Sequence, residues 1–199
     1  MDAVRADGTT TLRELDVGGG LGIRYLDEQP MSPRAYAAAL VPVVKPTGLT
    51  LYLEPGRFLV GASGVLLTRV LFRKHSGGKE FVIVDAGMND LERPSRYQAY
   101  HGIIPVEQRA GAPLVADVVG PVCETGDFFA LDRDLAPMEP GDLVAILCAG
   151  AYGFVMASNY NTRPLPPEVI LDGGRAWLSR PRKAVAELFR SERVTSEDR

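Results

Sequence analysis

Between residues 12 and 53 the chain spells out one strand, a glycine turn, one helix and a second strand, and after residue 64 that pattern does not return. Leu12 to Val17 is a short extended run ending in Gly18-Gly19-Gly20. Ser32-Pro33 is an N-cap followed by proline at the start of a helix over Arg34 to Lys45, and Leu49 to Leu53 is an apolar β run. This is a βαβ unit, which implies parallel strands joined by a crossover helix. Parallel sheets need both faces covered and several neighbours to pair with, so two strands do not make one. Residues 1–63 therefore read as a portion of a larger α/β structure.

From residue 64 the grammar is β. Val65 to Phe72 and Phe81 to Asp85 flank a Gly77-Gly78 hairpin turn, and further runs follow at Leu114 to Val119, Phe128 to Leu131, Leu143 to Leu147 and Glu168 to Leu171. Pro140-Gly141-Asp142 and Asp172-Gly173-Gly174 punctuate them. The expectation for residues 64–180 is an antiparallel sandwich or barrel of short strands. In 181–199, Val185, Leu188 and Phe189 sit at helical spacing and predict a terminal amphipathic helix with a polar tail.

Composition narrows the partners. The formal net charge is -3 and the 22 Lys and Arg are scattered, so no concentrated positive field invites nucleic acid or a membrane surface. Two cysteines, with no CxxC pair, suggest neither a disulfide scaffold nor a metal site. No apolar run has the ~18 to 20 residues of a membrane span, and no secretory h-region is visible, so a cytoplasmic protein is expected.

Two loops follow the two strands of the βαβ unit, at the strand ends where α/β folds place ligands. Gly18, Gly19 and Gly20 allow backbone N–H groups to converge on an anion such as phosphate, although a plain structural loop has the same composition. Glu54-Pro55-Gly56-Arg57 presents a carboxylate and a guanidinium around a rigid turn, or simply an internal ion pair. Arg93 and Tyr97, four residues apart, are compatible with surface decoration. Cys123 lies in a loop beside Glu124, whereas Cys148, inside an apolar run, reads as buried filler.

Five strings resemble the diaminopimelate decarboxylases, of the fold-type III ornithine/diaminopimelate/arginine decarboxylase family, in order and spacing: Leu15-Asp-Val-Gly-Gly-Gly-Leu-Gly-Ile23, Glu54-Pro-Gly-Arg57, Val84-Asp-Ala-Gly-Met-Asn-Asp-Leu91, Gly120-Pro-Val-Cys-Glu-Thr-Gly-Asp127 and Gly150-Ala-Tyr-Gly-Phe-Val-Met-Ala-Ser-Asn-Tyr-Asn161. The resemblance implies the terminal part of a (β/α)8 barrel that binds pyridoxal 5′-phosphate over 1–63, a β domain over 64–180, and head-to-tail homodimers with shared active sites. It assigns Gly18, Gly19, Gly20, Pro55 and Gly56 to the phosphate side of the cofactor and Glu54 to the pyridine nitrogen. Arg57 contacts phosphate and a substrate carboxylate, and Tyr152 lies against cofactor and substrate. Arg93 and Tyr97 grip the distal end of the substrate, with Arg96 a competing arginine. The same resemblance makes Cys123 the expected catalytic proton donor and Glu124 the expected partner of the far amino group. Glu at 124 favours diaminopimelate, whose distal end is an amino acid centre, over ornithine.

The family also attaches its cofactor to a lysine and stacks a histidine on the ring. The four lysines, Lys45, Lys74, Lys79 and Lys183, match no such position, nor do His75 and His101. The resemblance thus implies the C-terminal portion of an enzyme that decarboxylates meso-2,6-diaminopimelate to L-lysine and that requires an N-terminal barrel partner. A non-catalytic binding or dimerisation module, and a related decarboxylase of ornithine, arginine or carboxynorspermidine, are the alternatives.

Overall fold

The computed structural model describes residues 11–193 together with Ala6. Strands β1 (Glu14–Asp16) and β2 (Thr50–Tyr52) pair in parallel, with Leu15 opposite Leu51, as the βαβ pattern requires. The crossover is helix α1 (Pro33–Val44). The Ser32 hydroxyl accepts the Ala35 N–H at 3.2 Å, and proline occupies the first helical position, where no donor is needed. Pro42 lies within the last turn, and the helix tightens into a 3₁₀ turn over Lys45–Thr47 closed by Gly48 at φ +71°. Helix α2 (Gly56–Val60) starts in the loop that ends β2.

The second part is a six-stranded sheet of β3 (Leu66–Ser76), β4 (Lys79–Val84), β5 (Ile103–Pro105), β6 (Leu114–Val119), β7 (Phe128–Leu135) and β8 (Leu143–Ile146), in the order β5-β8-β3-β4-β6-β7. The long strand β3 bends it. Leu66 to Arg69 pair with β8, Val70 to Ser76 with β4, and a register shift lies between Val70 and Phe72. Arg133 on β7 donates to the His101 carbonyl just before β5 at 3.0 Å, and the curled sheet forms a nearly closed barrel. Its interior is Val70, Val82, Val84, Leu91, Val118, Phe129, Met138, Val144 and Ile146, all nearly inaccessible. Burying each side chain of this size contributes about 1.5–3 kcal/mol.

Three features differ from what the sequence predicts after residue 64. β4 and β6 pair in parallel, because residues 85–113 make a long crossover that contains helix α3 (Arg93–Tyr97) and β5. Glu168 to Leu171 is one arm of a separate hairpin, β9 (Glu168–Asp172) with β10 (Arg175–Arg180), turning at Gly173 and Gly174, both at positive φ. The terminal amphipathic helix shrinks to the single turn α4 (Val185–Leu188), with Val185 and Phe189 exposed, since it meets no apolar surface that would reward a longer helix. The polar tail from residue 194 lies outside the described residues. No helix among the described residues is long and apolar enough to cross a membrane.

Candidate active site

The two loops at the C-terminal ends of β1 and β2 are fastened to each other. Glu54 N–H donates to the Gly18 carbonyl at 2.9 Å, and Gly18 N–H donates to the Asp16 carboxylate at 2.7 Å. A Cβ on Gly19 would stand 2.5 Å from the Glu54 carbonyl, so only glycine allows this approach. Gly18 and Gly20 have φ +72° and +86°, and on each the space a Cβ would take is open. The result is a backbone cradle with one closed and one open side, suited to an oxyanion such as a phosphate. Tyr36 of α1 donates its hydroxyl to the Gly19 carbonyl at 3.0 Å, fixing the loop from the helix side. Gly56 N–H turns back to the Glu54 carbonyl at 2.8 Å, which leaves the Glu54 side chain exposed and Arg57 half-buried in the first turn of α2.

The segment carrying Tyr152 closes on the same group. Gly150 N–H donates to the Gly61 carbonyl at 3.1 Å and Ala149 N–H to the Gly64 carbonyl at 2.8 Å. Any side chain at Gly150 would collide with the Val60 carbonyl at the end of α2. Tyr152 is half exposed and sits at φ +58°, a conformation uncommon for a non-glycine residue and one that points to a positional demand. Cys148 precedes it at φ +56°. It is half-buried rather than buried filler, with its thiol 3.9 Å from the Arg24 carbonyl and pushed upward in pKa by desolvation.

Cys123 and Glu124 project from a tight turn between β6 and β7, both exposed. Glu124 N–H bonds the Val122 carbonyl at 2.8 Å and Asp127 N–H bonds the Glu124 carbonyl at 3.0 Å. The turn rests on α3: a Cβ on Gly126 would approach Ser95 Oγ at 2.8 Å and Met88 Cε at 3.9 Å. The Tyr160 hydroxyl lies 3.5 Å from the Glu124 carboxylate. On α3 the two arginines separate. Arg93 is 7% exposed, with one guanidinium nitrogen 2.9 Å from His101 Nε2 and the group stacked 4.8 Å over the Tyr25 ring. Arg96 turns outward to Glu92 at 3.2 Å, beside Tyr97, which is 57% exposed. His101 is buried, its Nδ1 2.7 Å from the Leu147 carbonyl, and desolvation holds its pKa below the ordinary imidazole value.

A buried polar cluster underlies these loops. Asp127 accepts the Val122 N–H at 2.5 Å and the Met88 N–H at 2.6 Å; Asp90 accepts the Gly87 N–H at 2.9 Å. Arg163 donates to Asn89 Oδ1 at 2.9 Å and to the Asp85 carbonyl at 2.6 Å, while Ser158 N–H bonds the Asn89 carbonyl. Burial raises the pKa of both Asp90 and Asp127 against the pull of these hydrogen bonds and of Arg163.

The structure thus gathers the sequence-predicted residues into two groups. Gly18, Gly19, Gly20, Glu54, Pro55, Gly56 and Arg57 lie at the rim of the βαβ unit, and the segment carrying Tyr152 is bonded just beyond α2, at Gly61 and Gly64. Arg93 and Tyr97 lie on α3, against which the Cys123–Glu124 turn packs at Gly126 and Ser95, while the Arg93 guanidinium itself faces His101 and Tyr25. The 150–163 segment runs from the first group to the second through Ser158 and Asn89. Tyr36, Asp127, Tyr160 and Arg163 were not anticipated as site residues. Tyr160 and Asp127 lie inside the family-like strings, which is the only signal that pointed to them.

Comparison with known proteins gives the same direction. Residues 23–150 match the family described as "Pyridoxal-dependent decarboxylase, C-terminal sheet domain". The chain is 48% identical over 198 residues to a diaminopimelate decarboxylase of Vibrio cholerae, covering 99% of this chain and 47% of that protein. It is 54% identical over 181 residues to one of Pseudomonas aeruginosa, covering 91% of this chain and 43% of that one. It superposes on the crystal structure of Helicobacter pylori diaminopimelate decarboxylase complexed with L-lysine with a TM-score of 0.87 and 43% identity, over 95% of this chain and 46% of that chain. The chain therefore spans somewhat less than half the length of these relatives. With its curled sheet, its glycine cradle and a family match across most of its length, the chain belongs to the pyridoxal-dependent decarboxylases and carries their C-terminal sheet domain.

Proposed function

We propose that this chain is the C-terminal portion of an enzyme that decarboxylates meso-2,6-diaminopimelate to L-lysine with pyridoxal 5′-phosphate. The observation that carries this reading is the near-complete alignment of the chain, at about half identity, with proteins of that name. Residues 1–63 complete a barrel contributed by a further segment, 64–180 form the β domain, and 181–199 trail from it. The working assembly is a cytoplasmic homodimer in which Cys123 and Glu124 of one subunit reach into the site of the other. The spatial division of the site into two groups supports that arrangement.

The cradle fits the cofactor's phosphate: a Cβ would close it at Gly19, and Gly18 and Gly20 hold it open. When bound there, pyridoxal phosphate supplies the electron sink that makes loss of CO2 feasible. Glu54 holds the pyridine nitrogen protonated, and Arg57 offers its planar donors to phosphate and to a substrate carboxylate. Tyr152 packs against cofactor and substrate. Arg93 has five N–H donors and gives one nitrogen to His101, leaving donors for the distal carboxylate alongside the Tyr97 hydroxyl. Glu124 accepts from the distal ammonium, and Cys123 delivers the proton that replaces the departing carboxylate at the α-carbon.

None of the four lysines is placed to anchor the cofactor. Lys45 sits at the N-terminal approach to β2, opposite the rim; Lys74 lies on β3, Lys183 before α4, and Lys79 is tied to Asp117 and Asp132, which raises its pKa. The chain alone, mixed with the cofactor and reduced with borohydride, should therefore retain no stoichiometric adduct. Assembled with a barrel portion carrying a lysine, it should release CO2 from meso-diaminopimelate. Stoichiometric fixation on the isolated chain, or an assembled enzyme that ignores diaminopimelate, would sink the proposal.

A further inference from the structure

The Cys123-Glu124 turn is short and exposed, yet a single buried side chain ties it from beneath to the loop before α3. The Asp127 carboxylate is 5% exposed and uses its two oxygens on two different loops: Oδ2 takes the Val122 N–H, inside the turn, and Oδ1 takes the Met88 N–H, in the loop that leads into α3. The backbone of the same residue adds two more links, from its N–H to the Glu124 carbonyl and from its carbonyl to the Gly120 N–H. The fit leaves no slack. A Cβ on Gly120 would fall 2.5 Å from one Asp127 oxygen and 2.6 Å from the other, and one on Gly87 would meet Oδ1 at 3.4 Å. Gly120 thus makes room for the carboxylate, whereas a Cβ on Gly87 would first meet Val122 Cγ2 at 2.8 Å and Asn89 Oδ1 at 2.9 Å.

We infer that Asp127 is a positioning residue, which locks the turn bearing Cys123 and Glu124 to the loop that leads into α3 and so fixes where that turn presents the proton donor. The inference rests on the proposed decarboxylase reading for its catalytic consequence, but the pin itself is a property of this chain. A buried carboxylate is costly unless its hydrogen bonds are made, and here one bond closes the turn on itself while the other crosses to the loop before α3. An ordinary core-filling residue would not need two acceptors aimed in two directions.

Two variants test it. Asp127→Asn keeps one carbonyl oxygen and replaces the other acceptor with a donor, so one of the two amides loses its partner; Asp127→Ala frees both. In the chain itself, amide exchange should accelerate about tenfold or more at Met88 or Val122 in the first variant and at both in the second, while Val82, Val84 and Val144 in the sheet keep their protection. Unchanged exchange at both positions in Asp127→Ala, or acceleration spread equally over the sheet, overturns the inference. In the assembled enzyme Asp127→Asn should lower kcat by about tenfold to a hundredfold and raise KM for diaminopimelate, with cofactor binding unchanged. Unaltered kcat and KM despite a loosened turn also overturn it. A wild-type assembly without decarboxylase activity would refute the functional reading instead, and the exchange measurement would still decide the pin.

Discussion

At the scale of single residues, the chemistry rests on a few positions whose neighbours leave little freedom. Gly19 is the clearest. Alanine there would drive its Cβ into the Glu54 carbonyl, so Gly19→Ala should destabilise the rim by about 1–3 kcal/mol, read from urea denaturation of the assembled enzyme, and should weaken its cofactor binding. A variant as stable as wild type would mean that the two loops separate without cost. Cys123 is the opposite case, exposed and free of packing duties. Cys123→Ala should slow turnover by about 100- to 10,000-fold while the assembled enzyme keeps its cofactor; loss of cofactor would show that the thiol has been given the wrong role. Cys123, Glu54 and the glycines stand out as candidates in the sequence because their strings are long and ordered. Asp127 and Arg163 were not singled out, since a carboxylate after a glycine and an arginine before a proline have nothing local to mark them as buried.

At the scale of elements, the strands with branched and aromatic runs were readable and the short ones were not. β5 holds Ile103–Pro105 only, and α3 begins at Arg93-Pro94 without an apolar periodicity; both owe their existence to the surfaces they lie on. The contact that fixes α3 is the stack of Tyr25, Arg93 and His101, which joins the 23–26 segment to the β5 approach. His101 sits there uncharged, so pH should act on it. Its pKa is lower in the folded chain than the unfolded value of about 6.5, so the unfolded chain binds the extra proton first. Stability should fall as pH drops below about 6.5, and His101→Gln should remove that slope. The check is the difference in urea midpoint between wild type and variant from pH 7.5 to 5.5 (about two pH units around the free imidazole value). Asp90 and Asp127 act with the opposite sign, because their raised pKa values mean that acid relieves a burial penalty; the wild-type minus variant difference cancels them. An identical slope in both proteins would assign the effect elsewhere.

At the scale of the whole molecule, the two-stranded β1–β2 sheet leaves apolar surface uncovered. Val41 and Val43 of α1, and Leu53, Phe58, Leu59 and Val60 around α2, are all exposed. The chain in isolation should therefore self-associate at micromolar concentration and bind a hydrophobic dye, and a monodisperse, cooperatively unfolding monomer in sedimentation and urea experiments would contradict this. The sequence by itself determined the change of grammar near residue 64, the capped crossover helix and the two loops that end β1 and β2, because each is written in local periodicity or turn chemistry. Only the tertiary structure decided that β4 pairs in parallel with β6, that Arg93 turns inward while Arg96 turns out, and that one buried carboxylate joins the turn of Cys123 to the loop that leads into α3. Those outcomes depend on which distant backbone donors and rings are brought within hydrogen-bonding reach, and no local pattern of residues encodes that proximity.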